Sequence, residues 1–214
     1  MSIRKKILAI SIGPVLVLGV ITLLFILTMV KSSLMDEVQD ALKGTAAATL
    51  AAYDQNTGDY LESTNGDIWK GSYNISKSES LVDRIKENTG MDVTFFYGNK
   101  RIMTSALDKK GNRILGSEAG ERVVNQVIKG KKPFFSTNVS LDGTRNYGYF
   151  IPVYQNGTTD QVIGMVFVGT NKARKDAIVN KILGSIMMAL LVVMLLCIVT
   201  AVSYTHLRAH ETRS

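Results

Sequence analysis

Two runs without a single charged residue, Leu8–Val30 and Ile182–Val202, bracket the polar stretch 31–181 and bound what this chain can fold into. At about 1.5 Å of helix per residue, runs of 23 and 21 residues each reach across the ~30 Å hydrocarbon core of a bilayer. A helix satisfies its own backbone there, which an open sheet or loop cannot do. The spacing therefore predicts two membrane-crossing helices, at 7–30 and 182–202. A cleaved leader is the competing reading of the first run. Its apolar stretch exceeds the usual ~7 to 15 residues, and no A-x-A-like exit follows. Arg4, Lys5 and Lys6 in the tip, residues 1–6, belong in the cytoplasm by the positive-inside bias, which puts residues 31–181 outside the cell membrane. Lys31, Lys172, Arg174, Lys175 and Lys181 oppose that orientation from the outer flanks, but long loops translocate largely regardless of charge.

The net charge of +7 does not mark a nucleic-acid binder, because residues 31–181 carry 20 Lys and Arg against 17 Asp and Glu. That is an ordinary mixed surface with no arginine-rich stripe. The one cysteine, Cys197, lies in the second apolar run, and both histidines, His206 and His210, lie beyond it. The outer domain therefore has no disulfide framework, no Cys/His metal site and no Ser-His-Asp or Cys-His nucleophile. Its carboxylates are scattered singly, so no catalytic or metal-ligating residue is assigned, no cofactor is expected, and the domain is read as a non-enzyme.

Past the first run, Leu34, Val38, Ala41, Leu42, Thr45, Ala48, Ala52 and Tyr53 recur at helical spacing, which predicts a rod leaving the bilayer. Alanines from Ala46 to Ala52 suit close helix packing, either in a homodimer or on the domain's own core. Asn, Asp, Ser and Gly from Gly58 to Gly71 read as a loop. Ser78–Asn88 reads as a helix with Ser78 as its N-cap. Strands follow at Met91–Tyr97 and Arg101–Ala106 across the Gly98-Asn99 turn, with a further extended piece at Arg113–Leu115. Ser117–Ile128 is read as helix. Three more strands, Phe134–Leu141, Arg145–Tyr154 and Gln161–Thr170, precede a helix that runs from Lys172 into the second span. This order predicts an α+β domain on a PAS-like plan, with one central antiparallel sheet and helices largely on one face. Such a sheet leaves a cleft suited to a small ligand.

Asp92-Val93-Thr94-Phe95-Phe96-Tyr97-Gly98, Met103-Thr104-Ser105, Tyr147-Gly148-Tyr149-Phe150-Ile151-Pro152 and Gly164-Met165-Val166-Phe167-Val168-Gly169, within residues 88–172, resemble the single Cache domain of bacterial methyl-accepting chemotaxis proteins. The resemblance implies an extracytoplasmic sensor at 31–181 that binds a small molecule and signals through the second span. It also implies a multi-pass cell-membrane receptor whose cytoplasmic kinase and adaptor would be reached only through a C-terminal region not in this sequence. The input half of a sensor histidine kinase or cyclic-dinucleotide enzyme is the alternative, since fold does not choose the output. Residues 203–214, SYTHLRAHETRS, lack heptads and cap logic and are read as a non-native or truncated tail, with a short basic cytoplasmic tail as the other reading.

Strand alternation places Tyr147, Tyr149, Ile151 and Val153 on one face and Gly148, Phe150 and Pro152 on the other. Phenols, hydroxyls and an arginine just past a turn suit a small carboxylate, amide or amino acid. Arg101, Thr104, Tyr147 and Tyr149, with Thr94 and Phe96, are the candidate ligand-binding residues.

Overall fold

A computed structural model describes the backbone of residues 3–211 and the side chains of residues 12–203. The chain divides into two compact units, Met1–Met35 with Asp176–Ser214, and Asp36–Lys175. Helix α1, Ile3–Asp54, begins in the first unit and ends in the second, and helix α4, Lys172–Glu211, does the reverse. In the first unit, Leu16 to Met29 and Met187 to Val199 include large apolar side chains that face outward. A methyl added at Gly19 would meet the thioether of Met194, so the two helices approach closely there, at the kind of small residue that lets transmembrane helices pack. Both helices are long and apolar enough to cross a membrane.

The second unit is built on the strip of α1 from Val38 through Leu42, Ala46 and Thr49 to Tyr53, all buried and spaced by three or four residues. Asn56 then ends the helical stretch, with its amide N–H on the Tyr53 carbonyl at 3.1 Å. The segment read as loop is instead a small antiparallel sheet: β1, Tyr60–Glu62; β2, Ile68–Lys70; and β3, Tyr73–Asn74. Strands of two or three residues are too short to show a period of two. They are held by burial of Tyr60 and Ile68, and by Lys70, which sits 4.3 Å over the Tyr60 ring and 3.7 Å from Asp54.

Helix α2, Glu79–Thr89, starts after Ser78, but the Ser78 hydroxyl makes no capping bond. It is 2.9 Å from the Tyr53 hydroxyl and donates to the Ile75 carbonyl at 2.7 Å, joining α2 to α1. Gly90 stops the helix in the left-handed region at φ 69°, its N–H on the Lys86 carbonyl. Strands β4, Asp92–Tyr97, and β5, Lys100–Thr104, are joined by Gly98-Asn99. A three-residue helix, α3, Glu121–Val123, continues as a π-helical turn, Val124–Lys129, shorter than the helix expected from Ser117. Residue 113 makes an isolated bridge to Leu107 in place of a strand. Strands β6, Phe134–Leu141, β7, Thr144–Tyr154, and β8, Val162–Asn171, complete a five-stranded antiparallel sheet in the order β5-β4-β8-β7-β6.

Register sorts the sheet into two faces. Phe95, which pairs with Val166, meets Tyr53 of α1 edge-on at 5.1 Å and stacks with Tyr60 at 5.8 Å. On the other face Phe96, Met165, Phe167 and Phe150 form a cluster with Val127 of the π turn, so helical segments cover both faces. Each such ring removed from water contributes roughly 1.5–3 kcal/mol before entropic costs.

The sheet edge is pinned to α2 by Arg113, whose Nη1 and Nη2 donate to Asp83 at 2.9 and 2.5 Å, while Nη1 also donates to the Thr104 carbonyl at 2.7 Å. Hydrogen bonding and charge from Arg113 hold the Asp83 carboxyl below its usual value. A depressed carboxyl stabilises the fold at pH values above its unfolded value of about 4, and that contribution disappears as pH falls through the lower folded value. Asp83→Asn is therefore expected to lower stability at pH 7 by up to about 1 kcal/mol and to flatten the acid limb of a denaturation series run from pH 6 to pH 2. An unchanged acid limb would leave the pair without a role in acid stability.

Candidate ligand-binding site

The Phe96–Phe150–Phe167 face does not fill completely. Between it and the segment from Glu118 to Val123 lies a cavity of about 500 Å³, walled on the far edge by Phe134–Ser140 of β6. That volume lies within the range of small-molecule sites, about 300–1,000 Å³. Phe150 and Phe167 form its floor, ring centroids 4.7 Å apart.

Two bulges shape the walls. In β5, Met103 opposes Phe95 but Arg101 opposes Phe96, so Ile102 is an extra residue that turns Arg101 onto the cavity face. In β6, Ser136 opposes Gly148 and Val139 opposes Asn146, which leaves one surplus residue among Thr137 and Asn138, both on the cavity. Gly148 must lack a side chain, because a methyl there would meet Phe167 and Val139.

Arg101 is 8% exposed, and its guanidinium lies 5.3 Å over the Phe96 ring. Its Nη1 donates to the Ile114 carbonyl only at 3.4 Å, and its Nε is buried with no hydrogen-bond partner. Among the described residues no carboxylate forms a salt bridge with it. Burial pulls its guanidinium below the ordinary value and the Asp92 charge partly restores it; an arginine stays protonated throughout. A buried cation without a carboxylate in direct contact costs several kcal/mol. An anion arriving in the cavity would offset that cost.

Of the residues singled out in the sequence, Arg101 and Phe96 line this cavity and the other four do not. Thr94 and Thr104 are buried opposite each other, hydroxyls 2.7 Å apart, with Thr104 also bonded to the Val93 carbonyl and the Ala106 amide. Tyr147 and Tyr149 point to the opposite sheet face, where Tyr147 stacks on Phe135 at 6.4 Å and lies under the Lys172 ammonium at 5.0 Å. The alternation that separated Tyr147 from Phe150 was the usable signal: the cavity takes the Gly148–Phe150 face. Glu118, Arg122 and Phe134, which sequence reasoning passed over, also line it, and Arg122 lies 5.3 Å over the Phe134 ring. No pattern in the sequence announces them, because they come together only when α3 folds over the sheet.

A family model described as single Cache domain 3 matches residues 73–182, half of the chain. The chain belongs to this single Cache family. No curated protein sequence matches it significantly. Among solved structures, an extracellular ligand-binding receptor from Desulfohalobium retbaense is similar at 14% identity and a TM-score of 0.51, over 72% of this chain and 26% of that one. The ligand-binding domain of the Campylobacter jejuni chemoreceptor Tlp3, solved with L-valine, is similar at 11% identity and a TM-score of 0.51, over 79% of this chain and 66% of that one. The Tlp3 sensory domain with isoleucine bound gives a TM-score of 0.50 at 11% identity, with the same coverage. These likenesses show a shared fold, and this chain spans only about a quarter of the first relative's length.

Proposed function

We propose that this chain is the sensory region of a two-span membrane receptor of the methyl-accepting chemotaxis type, whose Cache domain faces outside the cytoplasm and takes a small carboxylate in the Arg101 cavity. The buried, unpartnered Nε of Arg101 beside a phenylalanine-lined space carries this reading. Two apolar helices of spanning length flanking the sensor support the membrane placement, with the tip 1–6 inside, spans at 7–30 and 182–202, and the sensor at 31–181. Tlp3, a chemoreceptor with the same fold solved with amino acids, supports the output class and a small-molecule ligand. A homodimer through α1 is supported by the alanine-rich stretch from Ala46 to Ala52, where Ala47, Ala48 and Ala51 stay exposed while Ala46 packs into the domain's own core.

The route out of the cavity is short. Lys172, the first residue of α4, donates from Nζ to the Thr137 carbonyl at 3.1 Å, on the β6 bulge that forms the cavity wall. A ligand that favours one position of this wall would favour one position of the start of α4, and α4 runs as one helix through the apolar segment. Ligand acts only through its different affinities for the two arrangements.

The test uses the chain in lipid nanodiscs, with thermal shift and calorimetry over a panel of organic acids, amides and amino acids. At least one carboxylate should raise the melting temperature in a saturable manner. A panel without any saturable binding would end the sensor reading of this cavity. Fusing residues 1–202 to a chemotaxis signalling domain and, separately, to a histidine-kinase core then decides the output by which fusion responds.

A further inference from the structure

We infer that the cavity selects a monoanionic carboxylate with an aromatic or branched apolar body and discriminates against zwitterionic α-amino acids; this rests on the cavity being the ligand site. The charged side chains that line it are Arg101, Arg122 and Glu118, two cations against one anion. Only Arg101 among them is buried; Glu118 and Arg122 are exposed. The field inside is therefore positive, and a ligand with net charge −1 complements it where a zwitterion does not.

The ammonium of an amino acid is fixed next to its carboxylate, so seating the carboxylate at Arg101 brings a second cation into the same desolvated corner. The neutral polar side chains of the cavity, Ser136, Thr137, Asn138 and Ser140, all stand on β6, at the opposite edge of the sheet from Arg101 on β5. No buried carboxylate lines the cavity, and Glu118 is solvated. Phenylalanine faces could hold an ammonium instead, but Arg101 already covers Phe96 and Arg122 already covers Phe134. Of the remaining three rings, Phe135 stacks on Tyr147, and Phe150 and Phe167 lie against each other and offer apolar contact. Replacing the amino group by hydrogen removes the cost and keeps both the anion at Arg101 and the body on the Phe150–Phe167 floor. The volume of about 500 Å³ accommodates an aryl-sized body.

The experiment compares matched probes on the whole chain in nanodiscs by calorimetry: 3-phenylpropionate against L-phenylalanine and 3-phenylpropanamide, and 4-methylpentanoate against L-leucine. Each acid should bind at least tenfold more tightly than its amino acid, 3-phenylpropionate at least tenfold more tightly than its amide, and both acids should lose binding in Arg101→Met. Amino acids binding as tightly as their deaminated partners would overturn this inference and leave the sensor reading standing. Acid affinity that survives Arg101→Met, in a variant with a cooperative melting transition, would overturn it too. Absence of binding by all five probes would overturn it as well, and the wider panel above then decides separately whether the cavity is a ligand site.

Discussion

Arg101→Met is expected to make the unliganded chain more stable while abolishing its response to ligand. The guanidinium is held in a buried position with an unmet Nε and no ion-pair partner among the described residues. Methionine has similar length, fills irregular space and removes the desolvated charge. Replacing buried ionic groups by apolar ones of similar volume commonly gains about 1–4 kcal/mol, which for a domain of this size is an increase in melting temperature of roughly 2–16 °C. Ligand binding should move the other way. Truncating one partner of a buried charged contact costs about 2–5 kcal/mol, a loss of at least thirtyfold. Melting curves with and without a bound acid report both effects. A variant that melts lower and still binds would make Arg101 a structural residue, held in place by Phe96 and Ile114 alone.

The second large effect concerns α4. Inserting Gly-Gly after Lys175 should reduce signalling of a chemotaxis fusion by at least tenfold and leave ligand affinity within about twofold. Two extra residues turn everything beyond them by about 200° around the helix axis, and two glycines weaken the helix by about 2 kcal/mol relative to alanines. The cavity and the Lys172–Thr137 contact lie before the insertion and should be untouched. A four-alanine insertion separates the two causes, since it adds about 400°, close to one full turn. If that variant signals and the Gly-Gly variant does not, phase and stiffness of the helix carry the message. Full signalling with Gly-Gly would rule out a mechanical route through α4.

Much of this architecture was legible in the sequence because it is periodic. The spacing of Val38, Leu42 and Tyr53 is helical and these residues are buried; the central strands, covered on both faces, read as nearly continuous apolar runs between the turns Gly98-Asn99 and Asp142-Gly143. Asp142 and Gly143 both take positive φ, as that turn type demands. What was not legible depends on single insertions or on distant residues. A one-residue bulge at Ile102 decides which face Arg101 occupies, and alternation counted without it cannot place the side chain. The π-helical turn after Val123 carries no signal in a helical pattern, because its hydrogen bonds differ and its side chains do not. The candidate tyrosines were attractive for their chemistry, but chemistry does not say which side of a sheet is empty. That depends on α1, which fills the Phe95 side, and on the short α3 segment, which leaves the Phe96 side partly open.

The cavity draws its Arg101 wall from β5 and its Thr137 wall from β6, the two edge strands of the five-stranded sheet. Both are interrupted by a bulge, whereas β4 and β8 pair without interruption through the middle. A molecule held here is gripped by the pliable margins of a stiff plate, so its arrival can reshape the rim without taxing the centre that keeps the domain folded.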